Sequence, residues 1–277
     1  MLAYFSTAVF DQLYRKDGCS SADIAALRKA IYGRELTVRL SLHNLEEILT
    51  RKERPQALSA QLRQALSFAS LRSLIKPCEN LLIDDVRNYA AQGAASNPFL
   101  HGPIQDDISS GIAELIETDG EEFTDEFRAV LDEVRRQRFK IVTLCDRLRM
   151  TIAEKTDEPQ SEIFTPEKLR FEFGPSLASK IAILAGVSEN CAERGLSGLL
   201  EIRTVGIAVM LILANAAEQS SRWAEVHHVL SAAAAGGVLV CGAGEEREML
   251  APFAHAGLLP EKFEAIGLSE LLERVAH

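Results

Sequence analysis

Cysteine is scarce in this chain and shows no pattern. The five thiols, Cys19, Cys78, Cys145, Cys191 and Cys241, are odd in number and widely spaced. No Cys-x-x-Cys pair occurs, which excludes a zinc ribbon and a thioredoxin-like motif and leaves scattered buried thiols. A long apolar run is also missing. The longest, Val205 to Ala217, contains Asn215 and falls short of the roughly 18 residues that a membrane span needs, so it reads as a buried helix. The opening MLAYFSTAVF has no Lys or Arg before it and does not read as a signal peptide. A soluble, cytoplasmic chain with no membrane partner is expected. Excess basic charge is lacking too: 30 Lys and Arg face 40 Asp and Glu, for a formal charge of -10. That balance excludes a protein that coats a phosphate backbone over its whole surface. Neither H-E-x-x-H nor G-x-S-x-G is present, so the signatures of a zincin and of a serine-hydrolase elbow are absent.

What is present is an ordinary globular composition, 47% apolar and 25% charged over 277 residues, long enough to bury a sizeable core. The first fifty residues alternate strand and helix signals. Leu2 to Val9 reads as a buried strand, and Ser20 or Ser21 caps a helix through Ile31. Leu36 to Leu40 reads as a second strand, after which Ser41 opens a helix striped by Leu42, Leu45, Ile48 and Leu49. Such alternation predicts a parallel sheet. From Gln56 to Glu218 the pattern turns helical, with helices near 56–73, 82–91, 108–117, 124–153, 166–185 and 203–218. Alternation then returns. A helix from Trp223 to Ala235 leads to a strand at Val238 to Cys241, the turn Gly242-Ala243-Gly244 and a helix from Glu245. A strand around Phe263 to Ile266 and a helix capped by Ser269 close the series. The two ends of the chain, 1–90 and 200–277, should build an α/β core, with 91–199 as a helical insertion packed on it.

Charge is segregated within that insertion. Residues 105–133 hold eleven acids and one base, Arg128, whereas Arg135, Arg136, Arg138, Lys140, Arg147 and Arg149 follow. Mutually attracting, solvated helix faces account for this, with a phosphate-binding strip as the alternative. The Gly242-Ala243-Gly244 turn, between a strand and a helix, could cradle an anion on free N–H groups. However, Arg247 stands where a third glycine belongs, and Glu245 and Glu246 would repel phosphate. His227 and His228 are adjacent, hence about 100° apart on a helix, and are not expected to share a metal. Among the carboxylates, Glu46 and Glu47 follow the second strand and Glu225 opens a late helix. In a parallel sheet such positions converge on one crevice, where carboxylates from remote segments can hold Mg²⁺.

The segments AYFSTAVFDQLY, RLSLHNLEEIL and RWAEVHHVLSAAAAGGVLVCGAGEEREML together resemble the PIN domain, a family of metal-dependent ribonucleases that includes toxins of bacterial toxin–antitoxin pairs. The resemblance covers roughly residues 1–90 and 200–277. It implies a three-layer α/β/α sandwich with a central parallel sheet and a cluster of acids at the strand ends. The family's first Asp, in an Asp-Thr-Asn run, falls on Ser6, and the Asn on Ala8. Its helical Glu matches Glu47, its late-helix Asp matches Glu225 with Arg222 just upstream, and its last acid falls on Ala243.

Two of the four cluster positions, Glu47 and Glu225, thus keep a carboxylate and are the candidate metal ligands, while Ser6 and Ala243 have lost theirs. Holding Mg²⁺ against its hydration and generating a hydroxide needs several charges, so metal affinity should collapse unless Asp11, Asp84 or Asp85 moves into the crevice. The leading expectation is a PIN-like protein without nuclease chemistry and without a cofactor, acting as a binding or regulatory module for RNA or protein. One alternative is an active Mg²⁺- or Mn²⁺-dependent ribonuclease using Glu47, Glu225 and displaced acids. The other is a nucleotide-binding protein using the Gly242-Ala243-Gly244 loop.

Overall fold

The computed structural model describes residues 1–51, 53–91, 96–155, 174–187, 196–202, 204–209, 226–242 and 263–276. The first strand, β1 (Leu2–Phe5), is shorter than the apolar run that contains it. The backbone turns at Ser6, and α1 (Thr7–Arg15) starts at once, burying Thr7, Val9, Phe10 and Leu13. The run Leu2 to Val9 is therefore half strand and half helix, a division that a short apolar stretch does not reveal because both periods fit it. In α2 (Ser21–Tyr32) the expected cap is realised, with Ser20 and Asp23 forming a reciprocal capping box. After β2 (Thr37–Arg39), Ser41 caps α3 (Leu42–Leu49).

The helical middle follows as α4 (Pro55–Phe68), a 3₁₀ turn at Leu71–Ser73, α5 (Cys78–Ala90) and α6 (Pro103–Glu117). Then come the long α7 (Asp125–Lys155), α8 (Gly174–Leu184) and α9 (Leu196–Leu200). Residues 204–209 are helical, and α10 is described over Val226–Ala235. The chain ends in β3 (Val238–Cys241), β4 (Ala265–Gly267) and α11 (Leu268–Ala276). Val205 to Val209 of the longest apolar run lie in the described helical stretch, and Val205, Ile207, Ala208 and Val209 are buried. No helix among the described residues is long and apolar enough to cross a membrane. The helices expected to begin at Trp223 and Glu245 have their starts outside the described residues.

The four strands among the described residues are parallel, in the order β2-β1-β3-β4. Side-chain alternation sorts the strands between two apolar clusters. Ala3, Phe5, Val38, Val240 and Ile266 face one cluster with α1, α2, α3, α4 and α11. Tyr4, Leu239 and Cys241 face the other with α5, α8 and α10. The result is a three-layer α/β/α arrangement. Residues of the 91–199 stretch join both clusters: Ile108, Ile112, Leu115, Phe127 and Leu131 on one side, Leu177, Ala178 and Ile181 on the other.

The strand order places a reversal between β1 and β3. From β1 the chain moves to β2 on one side, and it returns through the helical middle to β3 on the other. At such a reversal the connections leave a crevice beyond the carboxyl ends of the strands. Because α10 runs into the start of β3, its described portion from Val226 lies back over that end of the sheet, opposite α3.

Candidate functional site

The crevice is built on the cap of α3. Ser41 Oγ accepts the Asn44 N–H at 3.3 Å, and Asn44 Oδ1 accepts the Ser41 N–H at 2.9 Å. The same Asn44 side chain donates from Nδ2 to the Phe5 carbonyl and to Thr7 Oγ1, each at 3.1 Å. One buried amide thus closes a helix cap and ties α3 to the end of β1.

Glu47 lies three residues further along the same helix face, and its carboxylate meets α10. Oε1 is 2.7 Å from His227 Nε2, and Oε2 is 3.2 Å from His228 Nε2. Both histidines are buried, whereas the Glu47 side chain keeps 16% of its surface. Glu47, His227 and His228 offer ligand atoms that all lie within 4.8 Å of one another. The adjacent histidines, about 100° apart on the helix, nevertheless converge on one carboxylate. An imidazole carries Nε2 well beyond Cβ, so two neighbours on a helix can converge on a group seated between their directions. Their ring centroids are 4.2 Å apart.

His228 is fixed from behind. Its Nδ1 is 2.8 Å from Tyr4 Oη, which is 2.8 Å from Ser41 Oγ, and Ser41 Oγ donates to Asn44 Oδ1 at 3.1 Å. Thr7 adds its N–H, 3.5 Å from His228 Nε2, and its hydroxyl at 3.4 Å. Against His227 stands His43, at a ring-centroid distance of 4.7 Å. His43 Nε2 accepts the Cys78 N–H at 3.1 Å, which leaves Nδ1 as the protonated nitrogen of the neutral ring, buried and without a hydrogen-bond partner among the described residues.

Electrostatics follow from burial. Burial and the neighbouring His228 push the His227 pKa down to about 4, against the pull of Glu47. Burial and His227 likewise hold His43 well below the ordinary imidazole range. For Glu47, burial works to raise the pKa, but the two imidazoles outweigh it and hold the carboxyl well below the usual range. At neutral pH the site thus contains an ionised carboxylate beside a neutral His227.

A second acid, Glu46, is fully buried and bonded to Arg138 at 3.0 Å, with Arg138 also 4.0 Å from Glu47. Burial raises the Glu46 carboxyl and Arg138 opposes the rise. Lys140 pairs with Glu79 at 3.2 Å. Part of the basic run on α7 is therefore spent on acids of α3 and α5.

Of the residues singled out by sequence, Glu47 sits at the centre of the site. Ser6 lies at the end of β1, buried, its N–H donated to the Val240 carbonyl at 3.0 Å and its Oγ without a hydrogen-bond partner among the described residues. Glu225, Arg222, Ala243 and Gly244 lie outside the described residues. Asp11 pairs with Arg51, Asp84 with Lys76 at 2.7 Å, and Asp85 with Ser96 and Thr204, so these three acids are engaged elsewhere. A Cβ added at Gly242 would stand 2.5 Å from Ala8 Cβ, so this glycine is needed for close packing of the loop on α1. The Cys78 thiol is pushed up to about 12 by burial and stays protonated.

The donor set fits Mg²⁺ poorly, because that ion demands oxygen ligands and here one carboxylate is flanked by two imidazole nitrogens. The sequence gives no sign of the roles of Tyr4 and Asn44, and it presents His227 and His228 as diverging and Arg138 as part of a solvated basic run. The pair His227-His228 is the one signal in the sequence, since the reach of two imidazoles offsets the angle between them. Comparison with protein-family models, with curated proteins and with solved structures returns no match.

Proposed function

We propose that the chain is a PIN-like protein that no longer performs Mg²⁺-dependent RNA cleavage and acts as a binding or regulatory module for RNA or protein. One observation carries this reading: the carboxylate at the family's helical Glu position, Glu47, is engaged by His227 and His228. Ser6, at the family's first Asp position, adds no charge beside it. Hydrolysis through Mg²⁺ needs several carboxylates around the ion, and among the described residues Glu47, already paired with two imidazoles, is the carboxylate of this cluster. The test is RNA cleavage by the purified chain in Mg²⁺ or Mn²⁺, compared with Glu47→Gln. No cleavage above background is expected from either. Cleavage by the native chain that disappears in Glu47→Gln overturns the proposal.

A further inference from the structure

Hydrogen-bond direction in the crevice has a consequence for charge. Two arrangements give each donor an acceptor. One ends in His228 Nε2–H donating to Glu47 Oε2. The other runs Ser41 Oγ to Asn44 Oδ1, Tyr4 Oη to Ser41 Oγ, and His228 Nδ1–H to Tyr4 Oη. In the second, the proton of a neutral His228 resides on Nδ1. Its Nε2 presents a lone pair, consistent with the Thr7 N–H directed at it. That lone pair faces Glu47 Oε2 at 3.2 Å. In this tautomer two electron-rich atoms face each other and favour a cation beside them.

We propose that Glu47, His227 and His228 form a three-ligand site for a borderline divalent transition metal of the Zn²⁺ class. The inference stands on the side chains alone and does not depend on the PIN-like reading. Two nitrogens and one carboxylate oxygen are the donor set of an open Zn²⁺ site, whose fourth position is left for water or a ligand. Ligand atoms of a tetrahedral ion with bonds near 2.0–2.1 Å lie about 3.3 Å apart. His227 Nε2 is 2.7 Å from Oε1 of Glu47 and His228 Nε2 3.2 Å from Oε2, and with all ligand atoms within 4.8 Å of one another small side-chain shifts bring them to that spacing. The surroundings match what such a site requires. Tyr4 orients His228 through its second nitrogen, as outer partners of metal-bound histidines do. The nearby cation Arg138 is compensated by Glu46 at 3.0 Å, and Glu47 retains an exposed edge for entry. Imidazole nitrogen selects against Mg²⁺ and Ca²⁺.

The experiment is titration of the chelator-treated 277-residue chain with Co²⁺, read by visible absorption, followed by displacement with Zn²⁺. One equivalent should bind with the intense bands of a four-coordinate ion, Zn²⁺ should displace it, and millimolar Mg²⁺ should not. Glu47→Gln and His227→Gln should each weaken binding by more than ~100-fold, and Tyr4→Phe by ~10–100-fold, the range for loss of an outer partner. X-ray absorption at the zinc edge of the native chain checks the ligands without relying on variants; two imidazoles and one carboxylate are expected. A flat titration means that a proton alone bridges His228 and Glu47, and overturns the proposal. Binding that survives both ligand variants, or an edge spectrum without imidazole, overturns it as well.

Discussion

The hydroxyl of Tyr4 lies 2.8 Å from Nδ1 of His228, a buried bond between residues 224 positions apart. It joins the central strand to the helix that closes the site, and it continues through Ser41 into the cap of α3. Tyr4→Phe keeps the ring but leaves the nitrogen of His228 and the oxygen of Ser41 without this partner. A loss of about 1–3 kcal/mol is expected, the cost of buried polar groups left unsatisfied. Denaturant unfolding should show a lower midpoint with an unchanged slope.

Acid should destabilise the metal-free protein early. His227 titrates near 4 in the folded chain against about 6.5 unfolded, so below that higher value the unfolded chain takes up a proton that the folded chain refuses. Its stabilising effect is complete above about pH 6.5 and is lost as pH falls towards 4, on the order of 3 kcal/mol in all. His43 acts in the same direction, and the depressed carboxyl of Glu47 adds a loss at lower pH. Unfolding followed between pH 4.5 and 7 in chelator should show this slope, and His227→Gln should reduce it by about one proton.

Arg138 and Glu46 form a pair whose acid is fully buried. Removing the cation in Arg138→Met strands the carboxylate, and a cost of about 3–5 kcal/mol is expected at pH 7. Because burial already raises the Glu46 carboxyl, the cost should shrink at pH 5, where the acid can protonate. Adding Glu46→Gln should recover part of the loss, which a double-mutant cycle measures.

Gly111 in α6 gives a prediction of sign. In an exposed helix, Gly→Ala stabilises by about 1 kcal/mol. Here a new Cβ would lie 2.5 Å from Cβ and 2.7 Å from Cγ of Phe127, which is fully buried in α7. Gly111→Ala should therefore destabilise by about 1–3 kcal/mol, seen as a lower thermal midpoint.

Parallel alternation at the two chain ends was legible because its signals are local. Ser20 with Asp23, and Ser41 ahead of an apolar stripe, mark helix starts through bonds made within three residues. The division of Leu2 to Val9 was not legible, since helix and strand periods both fit a short apolar run. Glu47 was legible as a candidate because the helix after a parallel strand must start at the crevice. The histidines were not, because whether two adjacent rings meet a carboxylate depends on where another helix lies.

By itself, the sequence determined the fold class, the helical middle and the position of Glu47 beside the strand ends, through periodicity and caps that act over a few residues. Tertiary structure alone decided what Glu47 faces. Segments 180 positions apart meet there only because β1 and β3 pair at the centre of the sheet, which carries α10 back over α3. The chemistry of the site is that of the atoms so brought together, a carboxylate between two imidazoles held by Tyr4, Ser41 and Asn44.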